Sequence, residues 1–142
     1  MMKKIEIKSN VIKEKVLHIL FKKEEENNTS SRVDIVDPSE FIQCSFLKLE
    51  KGKTFKPHKH IFKKRSYDKQ IAQESWVVIK GKVNCIFYDI DDSIIGKYIL
   101  EEGEASFTLQ GGHNYEILEE NTIVYEFKTG PYEGQKNDKT FI

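Results

Sequence analysis

Two imidazoles two positions apart, His58 and His60 in GKTFKPHKHIFKKR, form the clearest chemical pattern in the chain. On a strand, residues i and i+2 project from one face, so both rings would aim at one spot while Lys59 points away. Glu74 opens ESWVVIKG and shares its face of that strand with Trp76 and Val78. Such a position delivers a carboxylate into an apolar lining, a costly burial that either a bound cation or a lysine or arginine partner can offset. His113, which follows Gly111 and Gly112, supplies a third imidazole. Three imidazoles and one carboxylate suit divalent Fe, Mn, Ni, Co or Zn and leave coordination positions open to a water or a substrate oxygen. The fourth histidine, His18, has no partner nearby in sequence and reads as an ordinary structural or surface residue.

The segments that must hold these side chains read as strands. ESWVVIKGKVNCIFYDI is rich in β-branched and aromatic residues and breaks only at Lys80-Gly81-Lys82, as two strands joined by a tight turn would. Along the second strand, Val83, Cys85 and Phe87 fall on one face and Asn84, Ile86 and Tyr88 on the other. DIDDS, residues 89–93, is a polar turn before IIGKYILEEGE, and three further short extended runs follow, divided at Gly111-Gly112 and at Glu119-Glu120-Asn121. Strands recurring at roughly ten-residue spacing predict an antiparallel sandwich or barrel. No long amphipathic helix separates them, which disfavours a doubly wound α/β fold. Nearer the beginning, EKVLHILFK alternates Val16, His18 and Leu20 against Leu17, Ile19 and Phe21. A strand is preferred there, although VIKEKVLHILFKKEEE also fits a short amphipathic helix.

Composition narrows the function classes. With 142 residues one domain suffices, and 23 basic residues against 23 acidic ones leave no global electrostatic case for nucleic acid or membrane as a partner. The first residues alternate apolar and charged side chains, unlike a signal peptide, and no stretch approaches a membrane span. Cys44 and Cys85 sit in apolar strand-like runs without metal-knuckle spacing and read as buried free thiols of a reducing cytoplasm, with a single disulfide as the alternative.

Gly52-x5-His58-x-His60, followed by Glu74-x6-Gly81, resembles the first motif of the cupin superfamily, and Gly103 followed by GGHNYEILEEN resembles the second. The resemblance spans about half the chain and implies an all-β fold, a jelly-roll barrel of about six to eight strands. It also implies that His58, His60, Glu74 and His113 occupy the family's metal-ligand positions. The linker between His60 and Glu74 is longer than the family's usual one, and Leu109 stands where a proline is common. QESWVVIKGKV, GGHNYEILEE and KTGPYEGQKNDKTF further resemble a group of small bacterial cupins associated with surface-polysaccharide genes. On this reading residues 1–142 form one cupin domain, with an extension over about 1–31 (strand or helix), a barrel over about 32–129 and a tail over about 130–142.

Other residues would shape the ligand. The run Lys56, Lys59, Lys63, Lys64, Arg65 and Lys69 offers anion contacts at the barrel mouth, with Lys64 and Arg65 the best placed, or it is a solvated loop. Trp76, Asn84 and Tyr115 are candidate pocket residues, and the aromatics are equally suited to core. The expected function is a metal-binding cupin that binds or acts on a small polar metabolite, carbohydrate-related by the resemblance. A metal-free sugar-nucleotide isomerase or epimerase with a histidine base, and a non-catalytic ligand-binding protein, are the alternatives. The pattern assigns no residue a catalytic role. Extended edge strands favour a homodimer.

Overall fold

The computed structural model describes residues 2–24, 31–60, 71–130 and 134–142. Strands β1 (Met2–Lys8) and β2 (Val16–Lys23) form an antiparallel hairpin with Ile5 opposite Leu20. Two short strands follow, β3 (Arg32–Asp34) and β4 (Ser45–Leu47), paired with each other. The remaining strands are β5 (Glu74–Lys80), β6 (Lys82–Tyr88), β7 (Ile94–Glu101), β8 (Ala105–Thr108), β9 (Gly112–Ile117) and β10 (Ile123–Lys128), and a single helical turn, α1 (Gln135–Asp138), comes last. The fold is therefore all-β and antiparallel. The strands form a five-stranded sheet in the order β1-β2-β8-β5-β10, a three-stranded sheet β7-β6-β9 and the β3-β4 pair. These are separate ladders among the described residues, not one closed ring of paired strands. The segment 16–23 is a strand, as its alternation predicts, and β1-β2 is integral to the larger sheet instead of lying outside it.

Period-two alternation explains how the layers stack. Leu20 and Val78 project from one face of the larger sheet to meet Val83, Cys85, Phe87 and Leu100 of the smaller one. Ile19, Phe21, Ala105 and Phe107 project from the opposite face, where Ile35, Val36, Ile42 and Phe46 of the β3-β4 lobe cover them. The five-stranded sheet is thus the middle of three layers. Gln73 fastens the lobe: its amide oxygen accepts from the Ile42 amide at 2.9 Å, and its amide nitrogen donates to Glu40 at 2.6 Å. A second clamp joins the two sheets' turns, where Asp89, fully buried, accepts from the Ser9 hydroxyl and the Asn10 amide, both at 2.6 Å. The Ser9 oxygen in turn accepts from the amides of Val11 and Ile12.

The turn between β5 and β6 carries the chain from one sheet to the other. Gly81 sits there at φ 87°, and a Cβ would strike the Thr122 hydroxyl and lie 3.0 Å from the Thr122 backbone. Gly81→Ala is expected to cost about 2 kcal/mol from the left-handed conformation and this contact together, read as a lower urea midpoint with unchanged slope. No helix among the described residues is long and apolar enough to cross a membrane.

Candidate functional site

Glu74 and His113 belong to different sheets and meet at one end of the space between them. Glu74 is the first residue of β5, and Thr108 of β8 lies opposite it in the ladder. His113 lies opposite Phe87 on β6, so its ring faces inward with the same parity as the core. The result is a contact of 3.1 Å between His113 Nε2 and Glu74 Oε1. A carboxylate only accepts, so Nε2 carries the hydrogen, which leaves the Nδ1 lone pair as the ring's acceptor. Nδ1 is buried and has no hydrogen-bond partner among the described residues.

Aromatic rings form the wall beside this pair. Trp76 stacks on Tyr115 with centroids 4.0 Å apart and planes 10° apart, and the His113 ring lies 5.3 Å from Tyr115. The Trp76 indole N–H points between two carboxylates, Glu74 at 3.1 Å and Glu126 at 3.2 Å. The Tyr115 hydroxyl reaches Ser106 at 3.0 Å. Burial pushes the Tyr115 phenol far above its ordinary range, so it acts only as a neutral hydrogen-bonding group. Burial alone would raise Glu74 as well, but the hydrogen bond from His113, with the Lys139 and Lys128 ammonium groups, outweighs it and holds the carboxyl below its usual value. Glu74 is therefore an ionised acceptor near neutral pH.

Behind the pair lies His18, fully buried and stacked on Phe87 at 4.3 Å. Its Nε2 donates to the Tyr88 carbonyl at 3.2 Å, and its Nδ1 meets the Thr108 hydroxyl at 3.1 Å. Both nitrogens are satisfied by a neutral ring. Desolvation pulls its pKa down to about 4.

The other expected site residues are placed differently. His58 and His60 lie in residues 53–60, an exposed stretch outside any strand, instead of on the strand their spacing predicts. Pro57 removes a ladder donor there, and Lys56 and Lys59 favour solvent. The two rings do adjoin, edge to face at 5.6 Å, with His58 Nδ1 3.1 Å from the Lys56 carbonyl. Among the described residues no three His, Cys, Asp or Glu side chains gather closely enough to hold a metal. Two donors each about 2.1 Å from one divalent ion, at right angles, stand about 3 Å apart, so Glu74 and His113 have the spacing of half of the expected ligand set, but only if an ion displaces the proton that Nε2 shares with the carboxylate. Asn84 projects from the far face of β6 and donates to Glu116 at 3.1 Å, away from this end of the layers. Lys64 and Arg65 lie outside the described residues.

Several participants escape a reading of the sequence. Thr108, Ser106 and Glu126 enter only through register, since Thr108 pairs with Glu74, Ser106 with Trp76, and Glu126 with Trp76 on its other side. The alternation of ASFT and IVYEFK marks which of their side chains share a face, but not their partners. No family model, curated protein or solved structure matches the chain.

Proposed function

We propose that the chain is a cupin-type jelly-roll domain that binds a small polar metabolite, related to carbohydrate, at the Glu74–His113 pair and shifts a proton on it. The jelly-roll reading is supported by the path of the chain, which from β5 to β10 crosses repeatedly between the facing sheets. The observation that carries the functional reading is the 3.1 Å contact that fixes the His113 tautomer, together with the unpartnered Nδ1. A base at Nδ1 would take a proton from a carbon beside a ligand carbonyl and return it at the neighbouring position, an isomerisation with no net oxidation. The imidazolium formed in between would be stabilised by the Glu74 carboxylate. Lys64 and Arg65 supply the charge to grip a diphosphate. The free thiols of Cys44 and Cys85 support a cytoplasmic setting, and burial pushes the Cys85 thiol up to about 12, so it is unreactive. Exposed Ile123, Tyr125 and Phe127 on β10, at one end of the larger sheet, support pairing of two copies.

The test is ligand-induced stabilisation of chelator-treated protein by a panel of nucleotide sugars. The wild type should be stabilised by at least one, and His113→Asn should bind it at least about tenfold more weakly while remaining folded. No stabilisation by any member would remove this reading.

A second reading is favoured by the donor spacing at Glu74 and His113 and by the adjoining rings of His58 and His60. In it, all four side chains hold a divalent metal, which would supply Lewis acidity toward a ligand oxygen. Protein purified without a nickel column should then carry about one metal per chain, reduced in both His58→Ala and Glu74→Gln.

A further inference from the structure

Residues 134–142 lie against the domain at the end where Glu74 and His113 meet. Asp138 of α1 places its carboxylate 3.8 Å from Lys128 Nζ on β10, and Lys128 is paired in register with Glu74. The next residue, Lys139, sets its charge on the Glu74 carboxylate. Ile142 then reaches β9, where a Cβ on Gly112 would overlap its Cδ1. Glu74 and Lys128 belong to the five-stranded sheet, whereas Gly112 and His113 belong to the three-stranded one. The segment therefore spans the gap between the sheets, directly over the pair.

We propose that residues 135–142 are a strap across the mouth of the Glu74–His113 site, which lifts to admit a ligand. The strap rests on that pair being where the ligand binds. Its attachments are weak enough for release. Helix α1 buries no residue, and Phe141 and Ile142 remain 81% and 62% exposed. The Asp138–Lys128 contact is long at 3.8 Å, and Lys128 shares its charge with Glu126 at 3.7 Å, so it holds the segment loosely. A segment held by so few apolar contacts opens at far lower cost than the strands beneath it. Gly112 is the seat of Ile142, because any larger side chain there would displace it.

Trp76 is the sole tryptophan, and its indole nitrogen bonds Glu74, so its fluorescence reports access to the mouth. The experiment compares acrylamide quenching of Trp76 and carbethoxylation of His113 by diethyl pyrocarbonate, followed by peptide mass spectrometry. The proteins are the full-length wild type, Ile142→Asp and Gly112→Ala. Both variants should raise the quenching constant and the His113 labelling rate by about two- to threefold, with far-UV circular dichroism unchanged. If Gly112→Ala fails to fold, Ile142→Asp decides alone. Wild-type values for both readouts in folded Ile142→Asp would overturn the strap. These readouts need no ligand, so a failure of nucleotide sugars to bind leaves the access result standing and removes only the functional reading.

Discussion

Phe87→Ala will lower the stability of the domain by about 3–5 kcal/mol, against a total of about 5–15 for a domain of ordinary stability. Phe87 is completely buried, stacked on His18 at 4.3 Å and tilted against Tyr98 at 5.8 Å. It sits in the layer where the two larger sheets meet, among Leu20, Val78, Val83, Cys85 and Leu100. Most of these neighbours cannot close over the void, because β2, β5 and β6 are held by ladders on both sides. Removing the ring therefore loses transfer energy and leaves a cavity as well. Phe87→Leu retains much of the volume and should cost less than about half as much. The measurement is equilibrium unfolding in urea, and a loss below about 1 kcal/mol for Phe87→Ala would mean that the sheets do not pack face to face at this residue.

Acid will unfold the protein in two stages, and His18 sets the first. Its folded pKa is depressed by desolvation from 6.5 to about 4. Between those values the unfolded chain binds the proton and the folded chain does not, so stability falls as pH falls. The contribution is fully present above pH 6.5 and is lost by about pH 4, a total of about 3 kcal/mol at about 1.4 kcal/mol per unit. Glu74 and Asp89, whose folded carboxyls lie below their ordinary values, act in the same direction but only at lower pH. His18→Gln keeps a donor and an acceptor without titrating between pH 4 and 7. It should start less stable at pH 7 and show a nearly flat profile down to about pH 4.5, where the wild type slopes. Urea midpoints at half-unit pH steps for both proteins check this, and parallel slopes would show that His18 is not the group responsible.

Much of the fold was legible because two adjoining strands with unlike faces write their alternation into the chain. β5 and β6 are marked by β-branched and aromatic residues broken at Gly81, and β2 by Leu17, Ile19 and Phe21 against His18 and Leu20. Both faces of β2 are buried, which is why a helix remained an alternative for it: a strand apolar on both sides loses its period-two signature. The three-layer arrangement was not legible, since β3 and β4 pair over only three residues each and the chain between them supplies side chains, Ile35, Val36 and Ile42, that cover the larger sheet.

The site divides in the same way. Glu74, Trp76, His113 and Tyr115 converge because each lies on a well-marked strand at inward parity, and parity is a local property of sequence. The HxH spacing of His58 and His60 specifies a common face only if the backbone is extended and paired, and residues 53–60 have no ladder partner among the described residues. The polar floor of Thr108 and Ser106 depends on register with residues 34 and 30 positions away, Glu74 and Trp76, which no local pattern encodes.

The clamp between Ser9 and Asp89 has a consequence for how the protein is made. Its two halves are 80 residues apart, so at about 5–20 residues per second the ribosome needs roughly 4–16 s to deliver the second after the first. The β1-β2 hairpin also waits for β8, its neighbour in the finished sheet. Through that interval Leu20 lacks the smaller sheet that covers it, and only the β3-β4 lobe is available to Ile19 and Phe21, so a nascent chain stalled before residue 89 presents a sticky hairpin for chaperones to hold. Elongation rate, more than final stability, should then govern how much of the product escapes aggregation.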